Sequence, residues 1–106
     1  MSKTKTRHKH VSFHLGRVVA TPGALAALES VGMAPIDYIK RHACGDWGDL
    51  CAEDVEANAA ALKYGTRIMS TYTLSDDSKL WIITDGVINP DTGERYATTL
   101  LLPEEY

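Results

Sequence analysis

Residues 42–54 read His-Ala-Cys-Gly-Asp-Trp-Gly-Asp-Leu-Cys-Ala-Glu-Asp. An imidazole, two thiols, an indole and four carboxylates thus share one turn-rich stretch. Gly45 and Gly48 let its backbone turn sharply. Loops held between rigid elements are where chemistry concentrates. An imidazole oriented by a carboxylate is a general base, and His42 with Asp46 supplies such a pair. Asp46, Asp49 and Glu53 offer hard oxygens for a divalent cation, although their spacing matches no EF-hand loop. Cys44, Cys51 and His42 make three zinc ligands, and a fourth, such as His14, would have to come from elsewhere. The cysteines lack C-x-x-C spacing, so free thiols are expected rather than a redox pair. His8, His10 and His14 alternate as a second set of imidazoles near the N-terminus.

Each of these residues also has structural work available. His42 can cap the last carbonyls of a helix, where positive charge is favoured. Asp46 can close an Asx-turn, and Asp49 can cap the next helix. Trp47 is either a core anchor or a binding aromatic. His42, Asp46, Trp47 and Asp49 are accordingly read as a rigid corner first and a binding surface second, with no metal or cofactor expected.

A rival constellation is spread along the chain. Arg17, Arg67 and Arg95 fall in strand-like segments, and an antiparallel sheet can leave one face open. Small ribonucleases of the RelE or barnase-like kind use such a basic face. Phosphoryl transfer there needs a cation for the developing charge and a proton carrier. His42, Arg67, Ser70 and Tyr72 would be the parts.

The elements that must position these groups follow from pattern. Residues 12–19 alternate in strand period, with Gly16 as a bulge, and Thr21-Pro22 is an N-cap and first helical residue. Leu25, Leu28 and Val31 then recur at helical spacing up to Gly32. Ala34-Pro35 opens a second helix with Ile36, Ile39 and Ala43 inward, ending at Gly45. A third helix, residues 50–64, has Asp49 as its expected cap and Gly65 as its stop. Strands follow at 66–74, at 79–84, where the apolar run KLWIIT is central and Trp81 is expected in the core, and at 96–102. Between the last two, residues 86–94 carry two turn signals and predict a small excursion or minor hairpin. The expected fold is α+β: a four-stranded antiparallel sheet with three helices, in the order β-α-α-α-β-β-β.

The chain has 106 residues, enough for one domain with a core that needs no staple. Its net charge of -3 is uneven. Residues 1–10 hold four of the 11 cations and none of the 14 acids, leaving seven cations against 14 acids in the body. The expectation is a disordered basic tail, residues 1–10, on a single domain, residues 11–106. Such a tail can touch nucleic acid, whereas the acidic body argues against a large nucleic-acid footprint and suits a basic protein partner. The basic start is not followed by an apolar stretch, so no secretory signal or membrane span is expected, and the default compartment is the cytoplasm.

The runs FHLGRVVATPGALAALE, RHACGDWGDL, Ser70-x-Tyr72, LWIIT and TTLLLPEEY together resemble a family of short bacterial proteins, the plasmid-related proteins, found on plasmids, integrated elements and chromosomes. Some of these bear the label of a type I restriction endonuclease subunit M, but nothing in this chain resembles a methyltransferase. The resemblance spans residues 13–106. It departs at residues 86–94, where relatives pass through a short acidic turn. The resemblance places the chain among proteins of mobile elements but points to no chemistry. With no catalytic constellation at good spacing, an acidic body and a short chain, the expected function is that of a small non-enzymatic accessory protein that binds a macromolecular partner, in the first place a protein, and an anti-defence role would fit. The chain would act as a monomer or homodimer.

Overall fold

The computed structural model describes residues 12–106. The expected basic tail, residues 1–10, with His8 and His10, lies outside them. The chain forms β1 (Arg17–Ala20), α1 (Pro22–Ser30), α2 (Pro35–Ala43), α3 (Ala52–Tyr64), β2 (Ile68–Thr73), β3 (Lys79–Thr84), β4 (Val87–Asn89), β5 (Glu94–Arg95) and β6 (Ala97–Leu101), closed by a 3-10 turn at Pro103–Glu105. It is an α+β protein with three helices and a four-stranded sheet. No helix among the described residues is long and apolar enough to cross a membrane.

The sheet is mixed, which corrects the expectation of a purely antiparallel one. Its order is β1-β6-β3-β2. β2 pairs antiparallel with β3 and β3 with β6, but β1 lies parallel to β6 from Arg17↔Ala97 to Ala20↔Leu100. The three helices follow β1 in one block, and the edge it reaches belongs to the last strand. No tight turn therefore forces antiparallel pairing. β1 is also shorter than expected. Gly16 has φ +64°, and a Cβ there would stand 2.3 Å from the Arg95 carbonyl oxygen, so a close backbone approach ends the strand pattern.

Thr21 caps α1 through its hydroxyl, which accepts from the Ala24 amide at 3.0 Å, with Pro22 next in line. The core joins Ala24, Leu28 and Tyr38 of α1 and α2 to Tyr72, Leu80, Ile82 and Leu100 of the sheet. These strand residues share one face, because the register sets Ser70 against Ile82 and Ile82 against Leu100. The inward stripe of α2 is Tyr38 and His42, not Ile36, which is 50% exposed. Tyr38 and His42 stand one turn apart on one side, and the aromatic pair Tyr38–Tyr72, with centroids 5.1 Å apart, sets that phase.

The corner between α2 and α3 covers the β2 edge. The Thr71 amide donates to the Trp47 carbonyl at 3.1 Å, and the Asp49 amide donates to the Thr71 carbonyl at 2.7 Å, forming a one-residue bridge at Gly48. Gly48 has φ +74°, and a Cβ would meet the Thr71 oxygen at 2.1 Å. Asp49 is therefore not the cap of α3, as expected. Its backbone joins the edge, its carboxylate accepts from the Thr73 hydroxyl, and the helix starts later, with Cys51 in the cap position. One step along, the buried Asn58 of α3 accepts from the Met69 amide (3.1 Å) and donates to the Met69 carbonyl (2.7 Å), as a neighbouring strand would. Edge strands left open are sites of aggregation, and here side chain and loop close one of them.

Replacing Asn58 by Ala would leave both Met69 backbone groups unpaired at a partly buried edge. A loss of about 2 kcal/mol in urea unfolding is expected, with faster hydrogen exchange at the Met69 amide.

Candidate functional site

His42, the chief sequence candidate for chemistry, is fully buried. It lies in the last turn of α2 but does not cap that helix with a positive charge. Its ring points into the protein, with Nδ1 2.5 Å from the Ser70 hydroxyl and Nε2 2.8 Å from the Thr84 hydroxyl. Phe13 and Trp47 pack edge-on against it, at 5.5 and 5.7 Å between centroids. Burial lowers its pKa from 6.5 to about 4, so the ring is neutral near pH 7.

The hydrogen-bond chain has one direction. The Thr98 hydroxyl donates to the Leu15 carbonyl at 2.7 Å, an acceptor only. Its oxygen therefore accepts from Thr84, 2.7 Å away. Thr84, its proton committed, accepts from His42 Nε2–H, and Nδ1 accepts from Ser70. The imidazole is thus the Nε2–H tautomer, with no lone pair free to act as a base.

The remaining corner residues have partners of their own. Asp46 pairs with Arg41 (Nε–Oδ2 2.7 Å), not with His42, and accepts from the Gly48 amide at 3.1 Å. That ion pair raises the Arg41 pKa. The Arg41 guanidinium stacks 4.6 Å over the Tyr72 ring, and the Tyr72 hydroxyl donates to the Asp46 carbonyl at 2.7 Å. Burial pushes the Tyr72 phenol upward, so it remains a donor. Trp47 is half-buried, between His42 and Phe13. Cys44 and Cys51 are free thiols, each bonded locally, to the Arg41 carbonyl and the Asp54 carboxylate. Among the described residues no three His, Cys, Asp or Glu side chains are grouped to hold a metal ion.

The ribonuclease parts divide between the two faces of the sheet. Ser70 and Tyr72 are buried with His42 on the helix side. Arg67 has the opposite parity. It donates to the Tyr106 hydroxyl and lies 5.5 Å from the Tyr106 ring, which in turn packs edge-on against Trp81. Trp81 is half-buried on that outer face rather than in the core. Arg17 is exposed and Arg95 is buried, so the three arginines do not form one basic face.

Sequence reasoning missed a pocket of about 430 Å³. Its walls are Ser12 to His14, the C-terminal end of α3 and the β4–β5 hairpin. The hairpin is the expected excursion at 86–94. It is tied to α3 where the Val87 amide donates to the Gly65 carbonyl at 2.7 Å. Arg95, 3% exposed, lines the pocket and donates to three carbonyls: Thr66 (2.7 Å), Asp85 (3.0 Å) and Ala61 (3.3 Å). Desolvation lowers its pKa. The available signal was the cation and aromatic side by side at a helix end, Lys63-Tyr64, followed by Gly65.

No family model, curated protein or solved structure matches the chain.

The His42 pKa carries a stability prediction. The unfolded ring protonates near pH 6.5 and the folded ring only near pH 4, so the unfolded state binds the extra proton in between. Stability is full above about pH 6.5 and falls as acid is added, by about 3 kcal/mol at pH 4. His42→Phe should lower stability by about 2 kcal/mol at pH 7, by orphaning Ser70, and flatten this pH dependence in denaturant titrations.

Proposed function

We propose that this chain is a non-enzymatic accessory protein of plasmids or other mobile elements that acts in the cytoplasm by binding a protein partner. The observation that carries the reading is the state of His42. The one imidazole placed by sequence for proton transfer is sealed, neutral and hydrogen-bonded at both nitrogens. A general base must reach the proton it abstracts, and this one has neither access nor a free lone pair. The separation of Arg67 from His42, Ser70 and Tyr72 by the thickness of the sheet weighs against the ribonuclease alternative in the same direction.

The binding surface in this reading is the corner at residues 46–49. It is rigid, because Gly48 is locked against Thr71 and Asp46 against Arg41. A preformed loop loses little entropy on association. Asp49 is exposed, Asp46 and Trp47 are half-buried, and together they offer carboxylates beside an indole. His42 supports this surface from beneath and offers it no atom. The acidic body suits a basic partner surface. The mobile-element setting rests on the family resemblance, and an anti-defence role fits a small acidic binding protein in that setting.

Affinity capture from a bacterial host carrying the element should retain one protein partner with the intact chain, and Trp47→Ala should reduce its recovery at least about tenfold. Cleavage of RNA by the purified protein, abolished by Arg67→Ala, would establish the ribonuclease reading instead.

A further inference from the structure

We propose that the pocket between α3 and the β4–β5 hairpin binds a small organic anion, a carboxylate or phosphate monoester with a flat apolar body. This goes beyond the protein-binding reading and does not rest on it. Buried charges in proteins are normally paired. Arg95 is almost wholly buried, yet among the described residues it has no carboxylate partner. The ion pair given by the described residues is Arg41–Asp46. Its three protein bonds go to carbonyls, from Nη1 twice and Nη2 once. A guanidinium has five N–H donors, so among the described residues Nε and one Nη2 proton remain without a protein acceptor.

The C-terminal end of α3, to which Arg95 is bound through Ala61, offsets only part of this charge. A helix terminus amounts to roughly half an elementary charge. Lys63 adds a full cation at the rim, its ammonium 5.4 Å over the Tyr64 ring. No acidic side chain lines the pocket among the described residues. Asp91 and Glu94 belong to the same hairpin but not to the lining. A local cationic wall in a body of net negative charge is a specific feature of this site. The chain's own residues 1–11 hold no acid and cannot supply the anion.

Aromatic rings beside the cations set the rest of the ligand. Phe13 lies 5.9 Å from the Arg95 guanidinium, and Tyr64 is 72% exposed at the mouth. A planar apolar group fits against these rings while its anionic end reaches Arg95 and Lys63. His14 packs over Gly93, where a Cβ would be 3.6 Å from its ring, and both line the pocket. The volume is that of small-molecule sites rather than of a lone ion.

The test is a nuclear magnetic resonance titration of the full chain with phenyl phosphate, benzoate, benzyl alcohol and inorganic phosphate. Phenyl phosphate and benzoate should shift Phe13, His14, Gly65, Gly93 and the Arg95 Nε–H saturably, with dissociation constants on the order of 1 mM for such fragments. Benzyl alcohol and inorganic phosphate should bind about tenfold more weakly, each lacking one half of the recognition. Arg95 also ties three carbonyls, so the first variant is Lys63→Ala on the exposed rim. It should weaken phenyl phosphate about fivefold and leave the other resonances in place. Equal binding of benzyl alcohol, equal binding of inorganic phosphate, shifts confined to residues outside the pocket, or an unchanged affinity in Lys63→Ala would each overturn the proposal. Loss of the captured protein partner would leave it standing.

Discussion

One hydrogen-bond chain holds the layers of this protein together. It runs from Ser70 on β2 through His42 on α2 to Thr84 on β3, Thr98 on β6 and the Leu15 carbonyl. Every hydroxyl proton in it has one acceptor, so reversing any member would leave two lone pairs facing each other. Such chains are strong where water is excluded and costly where a member is missing. Here no buried side-chain polar atom among the described residues lacks a partner. A histidine at this position has two ring nitrogens on opposite sides, which is what bridging two strands from a helix requires.

The same economy accounts for the sheet edges. β2 would present a row of unpaired backbone groups, and three unrelated pieces cover it: the Trp47 carbonyl, the Asp49 amide and the Asn58 carboxamide. The chemically rich corner is therefore largely a strand substitute. Its glycine is needed because the Thr71 oxygen sits where a side chain would go. Asp46 and Arg41 fasten it to the Tyr38–Tyr72 pair, with the guanidinium stacked on the rings. In the proposed reading, what remains for recognition is the outer surface of a rigid bend.

Arg95 is held differently, by carbonyls rather than by a carboxylate. Three carbonyls converge on it from α3, from the start of β2 and from the end of β3, so it is a structural tie between helix and sheet. Carbonyl dipoles solvate a cation without neutralising it. The charge left over faces the pocket between α3 and the β4–β5 hairpin. A structural role and a binding role thus belong to one side chain and use different hydrogens of it.

Local pattern was enough for the three helices, for β2 and β3 and for the minor hairpin, because caps, glycine stops and alternation act over a few residues. Thr21-Pro22, Gly65 and KLWIIT were legible in this way. Parallel pairing of β1 with β6 was not, since it joins segments about 80 residues apart and no local signal encodes strand direction. The inward phase of α2 depended on Tyr72 lying opposite Tyr38. By itself the sequence determined which residues could do chemistry and which segments were helix or strand. Only the tertiary structure decided that His42 is sealed and neutral while Arg95 keeps charge to spare. Burial and hydrogen-bond direction are properties of what surrounds a residue, and those surroundings are assembled from distant parts of the chain.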